Sequence, residues 1–148
     1  MSDIEQPVVD YFLALQRSVN AADAGAIARA FAPQLLEAAP AGSRTLANDE
    51  AFRAAIEEWL ALLRRAGIRD VKALQIDPMP LSAGYALARI RWSLWFTPEG
   101  RGDFVEEFLV DYLLDLRAEP RITAYVVHDD EADIRRRMQI PVEPASSG

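Results

Sequence analysis

The spacing of hydrophobic and polar positions changes along this chain, and its clearest passage lies between residues 85 and 116. Over residues 85–96, Ala86, Ala88, Ile90, Trp92, Leu94 and Phe96 share one face, while Arg89, Arg91 and Ser93 take the other. Over residues 104–116, Phe108, Val110, Tyr112, Leu114 and Leu116 are opposed by Glu107, Asp111 and Asp115. A period of two is the mark of a strand with one covered face. The stretch between them, Thr97-Pro98-Glu99-Gly100-Arg101-Gly102-Asp103, is rich in turn formers, so the pair reads as a hairpin.

Centring the turn near Gly100 pairs residues whose numbers sum to about 200. Trp92 then faces Phe108, while Ala88 faces Tyr112 and Ala86 faces Leu114, two pairs of small against large that suit a concave face. On the other face Arg89 meets Asp111, and Arg91 lies diagonally between Glu107 and Asp111. Opposite charges across a strand pair contribute a few tenths to ~1 kcal/mol each and help fix register. The two faces, read independently, agree on one register.

Elsewhere the spacing is helical. Val8, Phe12, Leu15 and Val19 predict a helix over residues 3–19, opened by the capping-box spacing of Ser2 and Glu5. Ile27 and Phe31 predict a short second helix over residues 23–31, stopped by Pro33. Residues 34–39 form a short strand and residues 40–46 a loop. Asn48 caps a third helix whose stripe is Phe52, Ile56, Trp59, Leu60 and Leu63, with Arg64 and Arg65 in its last turn and Gly67 as terminator. A strand over residues 69–77 ends at Pro78 and Pro80. After the hairpin come a turn, a long strand over residues 122–128, and a short helix capped by Asp129 or Asp130 that runs to about Met138. Residues 1–138 are expected to form one domain and residues 139–148 a mobile tail. This order predicts an α+β fold, three N-terminal helices packed on a curved antiparallel sheet.

Composition narrows the chemistry. The 148 residues suffice for one domain with a real core, and no apolar run approaches the roughly 18 residues of a membrane span. The acidic start Met1-Ser2-Asp3-Ile4-Glu5 lacks the basic and apolar pattern of a signal peptide, so a cytoplasmic location is expected. The chain has no cysteine, which excludes disulfides, thiolate catalysis and Cys-based metal sites. A formal net charge of −7 argues against a nucleic-acid surface, and the one basic run, Arg135-Arg136-Arg137, suits a helix C-terminus. No Ser-His-Asp arrangement, phosphate-binding glycine loop or dinucleotide fingerprint is present, so no cofactor is expected.

With Val19-Asn20-Ala21-Ala22-Asp23, Phe31-Ala32-Pro33, the helix-opening Asn48-Asp49-Glu50-Ala51-Phe52 and Arg121-Ile122, the chain resembles the cone-shaped NTF2-like superfamily, which includes SnoaL-like polyketide cyclases and steroid isomerases. The resemblance runs from about Val8 to Asp129 and rests on the element order more than on any motif. It implies a deep pocket between the concave face and the helices, and frequently a dimer through sheet surfaces. It also permits a test of the isomerase chemistry. The isomerase base position falls on Ala39, the helix-one tyrosine on Leu15, and the second oxyanion donor on Tyr112. A slip of one residue would give Asp111, which the hairpin register turns outward. The isomerase base is missing.

The candidate residues follow from parity. Tyr112 admits two readings: a core tyrosine with one partner, or a donor to a ligand carbonyl opposite the space left by Ala88. Ile56, Trp59, Trp92, Phe108 and Tyr125 are core aromatics and aliphatics or the walls of a pocket. Glu106 shares parity with Phe108 and Tyr112, so it points to the concave side near the mouth, where it serves acid/base work or is simply solvated. By the parity of the family's last strand, Tyr125, Val127 and Asp129 face in, and His128, the only histidine, faces out. A lone histidine cannot build a multi-histidine metal site. Asp77 and Glu37 have no parity that aims them. The expected function is binding of a small hydrophobic or aromatic molecule; if the molecule is also turned over, the simplest chemistry these residues allow is acid/base, with Tyr112 as donor and Glu106 or Asp129 as proton carrier. The alternative is a non-catalytic interaction or assembly module that uses the outer sheet face. A homodimer is expected through Leu87, Trp95, Leu109 and Leu113 on that face.

Overall fold

The computed structural model describes residues 4–137. Ser2 of the capping box, Met138 at the end of the last helix and the tail over residues 139–148 lie outside the described residues. Helix α1 (Glu5–Asn20) buries Val8, Phe12 and Leu15, the stripe its spacing predicts. Helix α2 (Ala24–Arg29) starts at Asp23, whose carboxylate accepts the Ala26 N–H at 3.0 Å. The chain continues through β1 (Phe31–Ala39), β2 (Gly42–Ala47), α3 (Glu50–Arg65), β3 (Ile68–Ser82), β4 (Tyr85–Phe96), β5 (Phe104–Asp115), β6 (Arg121–Val127) and α4 (Glu131–Arg137).

Four readings need correction. Phe31 opens β1 instead of closing α2, because its backbone pairs with Ile122 of β6 and the Ala30 carbonyl accepts the Ile122 N–H at 2.9 Å. Residues 40–46 are not all loop: β2 pairs antiparallel with β1 from Ala39↔Gly42 to Gln34↔Ala47. Asp49, not Asn48, caps α3, accepting the Phe52 N–H at 3.0 Å. Asn48 instead donates to the carbonyls of Ala28 and Phe31 at 2.8 and 3.1 Å, holding β1 against α2. Strand β3 runs through Pro78 and Pro80, which pair with Ala88 and Ala86. As β3 lies at the sheet edge, a proline whose nitrogen faces the open side removes no ladder bond.

The hairpin of β4 and β5 holds the predicted register throughout, with Trp92 opposite Phe108, Ala88 opposite Tyr112 and Arg89 opposite Asp111. The sheet order is β2-β1-β6-β5-β4-β3. All neighbours are antiparallel except β1 and β6. These two are distant in sequence, so no hairpin dictates their direction, and the all-antiparallel expectation fails there alone. At the turn after α3, Gly67 has φ +88 and a Cβ would lie 2.7 Å from Pro98, so glycine is required on both counts.

The helices cover the concave face of this curved, unclosed sheet, where Ala86, Ile90, Phe96 and Leu114 are fully buried. Side chains of α1 sew it to the free edge of β3. Asn20 donates to the Val71 carbonyl at 2.8 Å and accepts the Val71 N–H at 2.9 Å, and Gln16 accepts the Ala73 N–H at 2.8 Å. These bonds satisfy edge groups that no strand pairs. Among the described residues no helix is long and apolar enough to cross a membrane.

Candidate functional site

Between α1, α3 and the inner faces of β4, β5 and β6 lies a cavity of about 680 Å³. Its walls include Trp92, Phe108, Tyr112 and Tyr125 from the sheet and Ile56, Trp59 and Leu63 from α3. Leu114, on the same stripe, is buried in the core beyond it. Ala88 faces Tyr112, so the phenol has no bulky partner across the strand.

Tyr112 leans along the sheet instead, and its hydroxyl accepts the Trp92 indole N–H at 2.9 Å. Its ring lies 4.9 Å from that of Phe12 and 6.1 Å from that of Tyr125. Burial pushes the Tyr112 phenol well above its ordinary range, and the Trp92 bond offsets only part of this. The phenol is therefore a neutral O–H. Among the described residues no acceptor takes its proton. A buried donor left without an acceptor costs about 1–3 kcal/mol.

A second polar group stands on the wall nearest β1. Glu37 is the register partner of Tyr125 on one side and of Arg44 on the other. The Tyr125 hydroxyl donates to Glu37 Oε2 at 2.6 Å, and Arg44 Nε donates to Oε1 at 2.7 Å. Burial raises the Tyr125 phenol above its ordinary range, and the bond to the carboxylate raises it further. All three side chains line the cavity. Sequence reasoning left Glu37 unaimed and placed Arg44 in a loop. One signal would have found the acid: Ala39 is placed at a pocket position by the resemblance, and Glu37, two residues earlier on the same strand, shares its face.

The predicted proton carriers are brought together, but by a cation. Arg137 of α4 donates to Glu106 Oε1 at 2.8 Å and to Asp129 Oδ2 at 2.6 Å. Asp129 lies on the cavity wall; Glu106 is not among the lining residues. His128 faces out, its Nε2 2.8 Å from Asp111 Oδ2. Arg89 binds the same carboxylate with two bonds, at 2.8 and 3.0 Å, and this holds Asp111 below the usual carboxylate range. Asp77 accepts from Gln75 at 2.9 Å, remote from the cavity. The three isomerase positions, Leu15, Ala39 and Tyr112, all lie on the wall. Among the described residues no group of three or more His, Cys, Asp or Glu side chains is disposed to hold a metal ion.

A family model described as NTF2-like protein (DUF6841) matches residues 2–130. No curated protein matches the sequence. Solved structures share the architecture. Aln2 from a Streptomyces species is similar with a TM-score of 0.69 at 19% identity, over 93% of this chain and 99% of that one. A ketosteroid isomerase-like protein from Erwinia carotovora atroseptica gives 0.62 at 14% identity, over 86% of this chain and 97% of that one. The association domain of C. elegans CaMKII gives 0.65 at 10% identity, over 83% and 93%. At these identities the likeness is one of fold.

Proposed function

The chain belongs to the NTF2-like family DUF6841, and from that premise we propose that it binds a small hydrophobic or aromatic molecule between its sheet and its helices. The observation that carries this reading is the Tyr112 hydroxyl, buried in an aromatic cavity and using its oxygen for Trp92 while its proton has no acceptor among the described residues. A ligand carbonyl would supply that acceptor, and the walls would take up the rings. The volume of about 680 Å³ falls in the range of ligand sites.

Acid/base turnover asks more of the site. Asp129 and Glu106 each give one oxygen to Arg137, and Glu106 is not among the residues lining the cavity. Binding asks nothing of either carboxylate and is the reading the geometry supports best. The test is a titration with 9-fluorenone and with fluorene, followed by quenching of tryptophan emission, since Trp59 and Trp92 are on the wall. Saturable binding of the ketone, weakened in Tyr112→Phe while fluorene is unaffected, is the expected result. No saturable binding of either compound overturns the proposal.

A second reading, assembly through the outer sheet face, has its own support. Leu36, Met79, Trp95, Val105 and Val126 are five of the seven exposed large hydrophobic side chains among the described residues, and the strand registers put all five on that face. We propose that this face forms a homodimer, which is compatible with ligand binding on the other side of the sheet.

A further inference from the structure

We propose that Glu37, with Tyr125 and Arg44, forms a second polar anchor in the cavity that selects a neutral ligand bearing a hydroxyl as well as a carbonyl. The inference rests on the ligand-binding reading above and adds the chemical class of the ligand.

The two anchors point apart. Tyr112 and Tyr125 are register partners with ring centroids 6.1 Å apart. Tyr112 reaches towards Trp92 on β4, and Tyr125 reaches the opposite way, towards Glu37 on β1. A molecule lying across the two rings would therefore present one end to a hydrogen-bond donor and the other to an acceptor. At the donor end it needs a carbonyl or similar oxygen. At the acceptor end it needs an O–H, because a carboxylate offers only lone pairs. Glu37 takes one bond on each oxygen from Tyr125 and Arg44, which leaves capacity on both for a further donor.

Charge decides that the ligand is neutral. Arg44 is the one Lys or Arg on the wall among the described residues, and it is bonded to Glu37. The other wall carboxylates are Asp49, which caps α3, and Asp129, which binds Arg137. An anionic ligand would meet three carboxylates and a guanidinium already engaged. Arg44 also balances the Glu37 charge, so no ligand cation is called for, and a hydroxyl is far less costly to desolvate than an ammonium. Arg44, Glu37 and Tyr125 sit side by side on three bonded strands.

The test compares 9-fluorenone with its 2-, 3- and 4-hydroxy isomers and with fluorenone-4-carboxylate, in the wild type and in Glu37→Ala. In the wild type at least one hydroxy isomer is expected to bind about tenfold tighter than the parent ketone, as a hydrogen bond to a charged group does, and the carboxylate weaker. In Glu37→Ala the hydroxy isomer and the parent ketone should bind with about equal affinity, and the carboxylate should gain because one of the three wall carboxylates is gone. If Glu37→Ala does not fold, Glu37→Gln takes its place, with the hydroxyl advantage reduced at least about threefold. Parent and hydroxy ketones binding the wild type equally would overturn this inference and leave the ligand-binding reading intact. A hydroxyl advantage that persists in the Glu37 variants would place the hydroxyl elsewhere and overturn it too. Binding by none of the compounds overturns both.

Discussion

Tyr125 donates to Glu37 at 2.6 Å from the adjacent place on a parallel strand, so a phenol and a carboxylate that are 88 residues apart in sequence form one unit on the cavity wall. Tyr125, Tyr112 and Tyr11 are all raised above the ordinary phenol value of 10.0, with burial the first cause in each case. Tyr11 adds a hydroxyl bond to the Ala30 carbonyl.

A pH dependence follows. Each of these phenols has a folded-state value above its unfolded one, so its contribution to stability is complete below about pH 10 and is lost as the pH rises beyond that. Unfolding free energy should therefore fall with increasing pH above about 10. In an absorbance titration these three tyrosines should stay protonated where a solvated phenol ionises, then ionise in one step that coincides with loss of the far-UV circular dichroism. Smooth ionisation of all the tyrosines near pH 10, with the fold intact, would contradict the burial seen here.

The Trp92–Tyr112 bond should be measurable as a coupling. Tyr112→Phe leaves the indole N–H without its acceptor, and Trp92→Phe removes the donor and some wall volume. Each should lower the unfolding free energy by about 1–3 kcal/mol in urea titrations. The double variant should cost less than the sum of the singles, by about 1 kcal/mol, because the bond is lost only once. Strict additivity would mean that the two side chains act independently.

How far the sequence reveals all this depends on where each strand lies. The β4–β5 register is legible because both its faces carry a pattern: small against large inside, and Arg89 against Asp111 outside. Strand β2 is silent because it is an edge with only Leu46 half-buried, so it has no alternation to read. The length of β3 is masked by Pro78 and Pro80, which would end a central strand but are tolerated at an edge. Hydropathy does not aim Glu37, because Ala38 and Ala39 show no alternation and the register of β1 against β6 shifts between Phe31 and Leu36; only the face it shares with Ala39, through the resemblance, points it inward. Its direction comes from long-range pairing with Tyr125. Parity puts Tyr112 on the inner face, but the bond its oxygen accepts from Trp92 appears only in three dimensions.

The wall also bears on steroid isomerisation. Leu15 and Ala39 line the cavity where the resemblance places an isomerase tyrosine and base, and neither has the chemistry. Glu37, the nearest acid along β1, has both oxygens bonded, to Tyr125 and Arg44. The protein should therefore isomerise a β,γ-unsaturated ketosteroid no faster than a generic protein surface does. Ala39→Asp puts a carboxylate on the same wall as Tyr112 and should raise that rate. Rapid isomerisation by the wild type would show that the base has been wrongly assigned.

The outer sheet face gives the last prediction. Its charges close within the chain: Arg89 with Asp111 at 2.8 Å, Arg91 with Glu107 at 3.6 Å, and Arg117 with Asp115 at 2.8 Å. Charge pairing between copies is thus less available than the alternating sequence suggests, and the proposed dimer would rest on apolar contact. Trp95 is 39% exposed and Val126 45%, and Arg69 lies over only one face of the indole, 5.1 Å from its centre. Leu109 and Leu113 are half-buried on the same face. A patch of this kind on both copies is self-complementary about a two-fold axis. Leu113→Arg would test the contact but would also disturb packing within the chain. Val126→Arg is cleaner, because the side chain is already exposed and the monomer should tolerate it. The wild type should sediment as a dimer at tens of micromolar, and Val126→Arg as a folded monomer, since dimerisation would bury an unpaired charge. The wild-type dimer should also persist at high salt, where a contact held by ion pairs would weaken. A monomeric wild type, or a variant that stays dimeric, would show that the outer face is not the interface.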